Sequence, residues 1–291
     1  MNTAQSMNSP RNQRVRRPDL FSEGTDEGGR QLGALRLLVA AIIVILIVGG
    51  FLYVKSRALV TPTDSQSLCP TKQSPTEVVA ILLDPSDRLG EPQRIQLQSA
   101  LDRVANAVQR FGLVEVYRIG TSASSVPQPV LHLCNPGSGA DVSRVYSNPD
   151  QVTKRWRTWA ASVATTIDTE LSSDRQPASP IFETVQAIGV RAFGQRMFDN
   201  RPKRLVIVSD LLQNVEGKLD MYRELPSFDA FKNTPYYRQV RTDLSDVHVF
   251  VLYLNRPFVH TQGTQHVEFW RRYFADQQAH LDSAVQLFGA R

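Results

Sequence analysis

The chain has 291 residues, of which 42% are hydrophobic and 21% charged, enough for the core of one ordinary domain plus extensions. Its formal net charge is +5, but arginine is concentrated in the first 36 residues and charges of both signs are mixed afterwards. No basic stripe of the kind that binds nucleic acid results, so we expect no nucleic-acid partner. Two cysteines are too few for a disulfide scaffold and fit neither a zinc spacing nor a C-x-x-C redox motif.

The amino-terminal part predicts a membrane anchor. Residues 1–34 are polar and rich in arginine, so we expect a disordered basic tail in the cytoplasm. The uncharged run 37–54 would measure about 27 Å as a helix, close to the hydrocarbon thickness of a bilayer. We therefore assign residues 35–55 to one transmembrane helix that acts as a signal anchor. A cleaved signal peptide is the alternative, but its apolar core is usually shorter and no A-x-A-like site follows.

Charge around this span predicts its orientation. Arginines before the span outnumber the basic residues just after it, so the amino end should lie in the cytoplasm. We expect a bacterial-type inner membrane protein whose carboxyl domain is periplasmic. Disulfides form in that compartment, and Cys69 and Cys134 have no competitor in the chain, so we predict that they are bonded.

The remaining chain alternates strands with helices. Prolines interrupt residues 56–76, which we read as a stalk, and residues 77–291 as the extracytoplasmic domain. Within residues 219–242 we expect one or two short helices around an irregular loop. The apolar patterns predict strands at 78–83, 113–119, 130–134, 205–209 and 247–254, and helices at 92–111, 149–171, 179–193 and 265–288. Such alternation indicates an α/β fold with a doubly wound, mainly parallel sheet flanked by helices.

Two buried strands end in a carboxylate. Asp84 follows the run 78–83 and Asp210 follows 205–209. The carboxyl ends of neighbouring parallel strands share one edge, where ligands bind in such sheets. Hard oxygen donors without His or Cys suit Mg²⁺ or Ca²⁺. The predicted metal ligands are Asp84, Ser86, Asp87, Ser179 and Asp210.

Each predicted ligand also has a simpler interpretation. Aspartates after strands are common turn residues, and Asp87 could be a solvated charge. Ser179 also has the position of an N-cap for the helix that follows. Trp156 and Trp159 are spaced for core packing, and His132 and His248 lie in strands, where we expect sheet residues and not ligands.

The motifs resemble those of von Willebrand factor A-type (vWA) domains. Asp84-Pro85-Ser86-Asp87 is similar to the start of D-x-S-x-S, the first loop of that family's metal-ion-dependent adhesion site. Val208-Ser209-Asp210 resembles the third-loop aspartate, and Ser179 stands where the family carries a Thr or Ser. The resemblance covers residues 77–254 and implies a vWA- or Rossmann-like fold. Arg88 replaces the second serine of D-x-S-x-S.

For the function, the resemblance implies metal-dependent binding of a protein and not catalysis. We expect a membrane-anchored module that binds a protein partner outside the cytoplasm through a divalent metal site. Arg88 favours an alternative, a structural subunit of an envelope complex whose site is vestigial. A metal-dependent hydrolase has little support, because Ser86 stands where a phosphatase D-x-D motif needs its second aspartate. No catalytic triad or phosphate-binding loop is recognisable either.

Overall fold

The computed structural model describes residues 27–57, 61–85, 89–120, 127–142, 148–173, 176–256 and 258–288. The chain forms two compact units, Met1–Arg57 and Ala58–Arg291. The first contains one helix and the second contains the sheet, and each is described by itself.

Helix α1 spans Glu27–Arg57. Its segment Gly33–Tyr53 is 21 residues long with a mean hydropathy of 2.8, and its side chains are not buried. At 1.5 Å per residue this segment measures about 32 Å, enough to cross a membrane once. The helix begins at Glu27, so residues 27–34, which the sequence assigned to a disordered tail, are helical. The rest of the predicted tail, residues 1–26, lies outside the described part of the chain.

The second unit is built on a six-stranded sheet with the order β3-β2-β1-β4-β7-β8. Its strands are β1 Val78–Leu83, β2 Leu113–Arg118, β3 Pro129–Cys134, β4 Lys203–Ser209, β7 Val247–Leu254 and β8 His280–Leu287. All neighbours are parallel except β2 and β3. This is the strand order of a doubly wound fold, so the predicted vWA- or Rossmann-like fold class is confirmed. A separate two-stranded hairpin joins β5 Asn214–Val215 to β6 Leu219–Asp220.

Helices cover both faces of the sheet. They are α2 Glu91–Ala107, α3 Pro149–Leu171, α4 Ile181–Ile188, α5 Phe228–Lys232, α6 Pro235–Val240 and α7 Thr264–Asp276. Helices α2 and α3 pack against the face that carries Val79, Ile81 and Leu83, and the other four pack against the opposite face. Strand β1 lies in the middle of both layers and all six of its side chains are buried. Because its side chains alternate between the two faces, β1 contributes to both hydrophobic cores.

The core on the α4–α7 side is aromatic. Phe182 of α4 stacks on Trp270 at 4.6 Å and on Phe231 at 4.9 Å between ring centres, and it meets the edge of Tyr273 at 4.7 Å. Rings in these arrangements contribute about 0.5–1.5 kcal/mol per pair beyond their buried area. On the other face Trp159 of α3 is buried, as its helical spacing predicted.

The carboxyl-terminal helix predicted over 265–288 is wrong in its second half. Helix α7 ends at Asp276, and Gln278 adopts a left-handed backbone with φ of 64° that breaks it. Residues 280–287 then form β8, which pairs in parallel with β7. Leu281 and Val285 are four apart and fit a helix locally, but pairing with a neighbouring strand satisfies the backbone of β7, and this long-range interaction decides the structure.

The segment read as a stalk is partly attached to the domain. Cys69 and Cys134 are disulfide-bonded with their Cα atoms 4.8 Å apart, as predicted. The amide of Cys134 donates to the carbonyl of Ser67 at 2.8 Å, and the hydroxyl of Thr76 donates to the carbonyl of Arg110 at 2.9 Å. From residue 61 onward the segment is therefore part of the folded unit and not a free spacer.

Removal of this disulfide should destabilise the domain. It closes a loop of 65 residues, for which chain entropy allows up to about 4 kcal/mol of unfolding free energy. Urea denaturation of the protein with Cys69→Ser and Cys134→Ser together should show this loss relative to the oxidised wild type, and wild type under reductant should match the variant. Labelling of both cysteines in the unfolded, unreduced protein would contradict the bond.

Candidate functional site

Asp84 joins three elements at the carboxyl edge of the sheet. It directly follows β1, its side chain is 1% exposed, and its amide donates to the carbonyl of Val208 in β4 at 3.0 Å. Its Oδ2 accepts a hydrogen bond from the hydroxyl of Ser179 at 2.8 Å and another from the hydroxyl of Ser209 at 2.7 Å. Asp84 therefore connects the end of β1 to the end of β4 and to the loop before α4.

Ser179 reaches Asp84 because its backbone is fixed. Its amide donates to the carbonyl of Asn214 at 2.8 Å and its carbonyl accepts from the amide of Asn214 at 3.1 Å. The expectation that Ser179 caps the following helix is wrong. Pro180 is the N-cap of α4, and the serine hydroxyl is bonded to the carboxylate instead.

Asp210 is fully buried at the end of β4 and is paired with an arginine. Its Oδ1 accepts the amide of Leu212 at 3.0 Å. Its Oδ2 accepts the hydroxyl of Tyr222 at 3.1 Å and Nε of Arg256 at 3.1 Å. The Arg256 side chain is only 12% exposed, so this is an ion pair largely withdrawn from water.

Gln262 fastens the loop after β7 to the loop after β4. Its Nε2 donates to the carbonyls of Asp210 at 3.0 Å and Leu254 at 3.1 Å. Its Oε1 accepts the amide of Arg256 at 2.6 Å. Gln262 therefore keeps the backbone of Arg256 close to that of Asp210.

Burial and the neighbouring charges at this edge shift the pKa of Asp210. Burial raises the pKa of Asp210 to about 7, the negative charge of Asp84 adds to this rise, and Arg256 opposes it. Strands β1 and β4 are parallel neighbours with Leu83 opposite Val208, so Asp84 and Asp210 follow adjacent strand ends. The sequence predicts that Asp84, Ser179 and Asp210 lie at one edge of the sheet, and their positions in the structure are consistent with this prediction.

The described donors do not fit a divalent cation as they stand. A cation bound to Asp210 would meet the positive charge of Arg256, and both hydroxyls at Asp84 already donate to its carboxylate. Within the described ranges no group of three His, Cys, Asp or Glu side chains could hold a metal ion. The predicted ligands Ser86 and Asp87, with Arg88 beside them, lie outside the described residues. The Mg²⁺ or Ca²⁺ site stays a prediction.

Four residues of this site were missed from the sequence. Ser209 stands directly before Asp210, Tyr222 follows β6, and Arg256 and Gln262 follow β7. The rule that selected the two aspartates, a polar residue just past a buried strand, also selects Arg256, two residues after Leu254. Arg256 is cationic, whereas the predicted metal site consists of oxygen donors only.

Comparison with known proteins gave similarities of structure. No family model and no curated protein matches the chain. The conserved hypothetical protein BatB from Bacteroides thetaiotaomicron is similar with a TM-score of 0.38 and 12% identity, over 74% of this chain and 91% of that one. The SpRpn10 VWA domain has a TM-score of 0.38 and 12% identity, over 74% and 90%. An aerotolerance-related membrane protein from Bacteroides fragilis NCTC 9343 has a TM-score of 0.36 and 10% identity, over 74% and 92%.

Replacement of Asp210 by asparagine should flatten the pH dependence of stability. The pKa of Asp210 is about 7 in the folded chain against an ordinary 3.8, so the folded state binds an extra proton between these values. The associated stability is present at low pH and is lost as pH rises through about 7. The loss should be of the order of a few kcal/mol.

Urea denaturation at a series of pH values measures this dependence. Wild type should lose unfolding free energy as pH rises, and Asp210→Asn should lose much less, although its stability at low pH also changes. The control is Asn at the exposed Asp102, which should follow wild type. An Asp210→Asn protein with the wild-type slope would show that Asp210 is ionised throughout.

Proposed function

We propose that this chain is a single-pass membrane protein whose sheet domain binds a protein partner outside the cytoplasm, and that it is not an enzyme. The observation that supports this most is the polar site at the carboxyl edge, where Ser179 and Ser209 bond to Asp84 and Arg256 bonds to Asp210. In open α/β sheets this edge is where ligands bind.

The burial of both carboxylates argues against a catalytic role. Asp84 is 1% and Asp210 0% exposed, and each accepts hydrogen bonds from neighbouring donors. A nucleophile or general base must come within hydrogen-bond reach of a substrate, and these carboxylates face the protein instead. The nearby His266 is also buried, bonded to Tyr253 and to the carbonyl of Leu211.

These buried groups would not contact the partner themselves, but they would order the segments that form a preformed binding surface at this edge. Arg256 supplies the positive charge that a divalent cation supplies in the vWA-type site, and it does so from within the chain. With Gln262 it holds the segments after β4 and β7 in one arrangement. A surface that is ordered before binding loses less entropy on association. We therefore propose that binding is independent of metal.

Metal-dependent binding is the second candidate. It is favoured by the position of Asp84, Ser179 and Asp210 at one edge, as the vWA resemblance implies. For this to occur, Arg256 would have to leave Asp210. The buried pair makes that costly, because a separated charge would remain in the interior.

The location is proposed from α1 and from the disulfide. The helix has the length and composition of one membrane span. The bond between Cys69 and Cys134 is of a kind that persists in oxidising compartments. We propose that the amino end is cytoplasmic and that the domain lies in the periplasm of a bacterial-type envelope.

Removal of the arginine at the site should weaken partner binding. Arg256→Gln leaves Asp210 without its cation and removes the side-chain bond between the segments after β4 and β7, so capture of the partner by the intact protein from detergent-solubilised membranes should fall at least tenfold. Arg204→Gln is the matched control, because Arg204 also pairs with a buried acid, Glu77, at 2.7 Å, but at the opposite end of the sheet. Circular dichroism should show that both variants fold.

A chelator separates the two candidates. Capture by wild type should be the same with and without the chelator if Arg256 takes the place of a cation. Loss of capture with the chelator would establish the metal-dependent candidate instead. Equal capture by wild type and Arg256→Gln would show that the partner binds elsewhere on the domain.

The proposed orientation predicts the outcome of reporter fusions. A reporter that is active only outside the cytoplasm should give signal when fused to the carboxyl end, because the arginine-rich flank keeps the amino end inside. The same reporter at the amino end is the control and should be silent. Activity at the amino end with silence at the carboxyl end would reverse the topology.

A further inference from the structure

Two histidines lie side by side at the amino ends of β7 and β8. His248 and His280 are paired in the parallel register of these strands, so their side chains lie on the same face of the sheet. Their ring centres are 5.7 Å apart and the rings are tilted by 33°. The site lies at the opposite end of the sheet from Asp84 and Asp210.

A carboxylate orients one of the two rings. Oδ2 of Asp282 lies 3.0 Å from Nδ1 of His248. An ionised carboxylate only accepts hydrogen bonds, so Nδ1 carries the proton and, in the neutral ring, Nε2 keeps its lone pair. Histidines that bind metals commonly donate their other nitrogen to a carboxylate in this way, which fixes the tautomer and ring orientation.

We propose that His248 and His280 form a binding site for Zn²⁺ or Cu²⁺, with Asp282 as the positioning residue for His248. With a zinc–nitrogen bond of about 2.0–2.1 Å, each ring centre lies about 3.2 Å from the ion, and two rings at a tetrahedral angle are about 5.2 Å apart. The observed 5.7 Å between ring centres is close to this separation, and both side chains are exposed and can rotate. Imidazole ligands suit Zn²⁺ and Cu²⁺, whereas Mg²⁺ and Ca²⁺ prefer oxygen.

The surroundings allow an ion to enter. The side chain of His248 is 52% exposed and that of Asp282 33%, and His280 is exposed as well. Arg204 is the register partner of His248 on its other side, and its charge is engaged by Glu77 at 2.7 Å. Because two histidines fill only half of a tetrahedral shell, water or a side chain of another molecule would complete it.

Calorimetric titration of the intact, detergent-solubilised protein with ZnCl₂ and CuCl₂ tests the site. The affinity tag should contain no histidine. Wild type should bind, and His248→Ala and His280→Ala should each lower the affinity at least tenfold. Asp282→Ala should lower it by about 10–100-fold through the loss of ring orientation.

The chain offers a matched control in His132. It also lies in a strand, is half-exposed and has Nδ1 2.8 Å from a carboxylate oxygen of Glu115, but it is not one of the two paired histidines. His132→Ala should therefore bind as wild type does. Absence of binding by wild type, or equal affinity in wild type and both histidine variants, would overturn the proposal. The readout is independent of partner capture, so it stands apart from the proposed function.

Discussion

Two buried aspartates lie at the same edge of one sheet, and the protein itself must supply the hydrogen bonds and positive charge that replace their contacts with water. Asp84 receives it from two hydroxyls, and Asp210 from a guanidinium, a phenol and an amide. An isolated buried carboxylate would cost several kcal/mol, so each of these donors has to be in place for the edge to be stable. The position of the loops after β4 and β7 follows from this requirement.

The donors come from parts of the chain that are distant in sequence. Ser179 lies 95 residues from Asp84, and Arg256 lies 46 residues from Asp210. These bonds are made in the structure in which β1, β4 and β7 are paired in register. Because the strands are parallel, their carboxyl ends lie within about two residues of one another along the sheet, and a shift of any of them would separate a charge from its partner. The electrostatics of the edge and the register of the sheet thus support each other.

Much of this fold could be predicted from local pattern. The continuous apolar runs of β1, β4 and β7 are typical of strands buried on both faces, and Asp84 and Asp210 are found at their ends. A pattern of oxygen donors does not predict Arg256, because this side chain itself supplies the positive charge beside Asp210.

Strand β8 was missed for a different reason. It lies at the edge of the sheet and is half-exposed, so its sequence lacks the continuous apolar run of a central strand. The register shift opposite Val249 and Phe250 also interrupts its alternation. Local periodicity could not distinguish β8 from a continuation of α7. Only pairing with the edge of β7 makes this segment a strand.

The bond between Cys69 and Cys134 has a mechanical consequence. A tensile load applied along the chain from residue 61 reaches Cys69 before it reaches β1. There it divides into two branches, one through residues 70–77 to the central strand β1 and one through the sulfur bridge to the end of β3 at the sheet edge. The disulfide would thus divide a force applied through the preceding segment between β1 and β3, so that the central strand β1 carries only part of it.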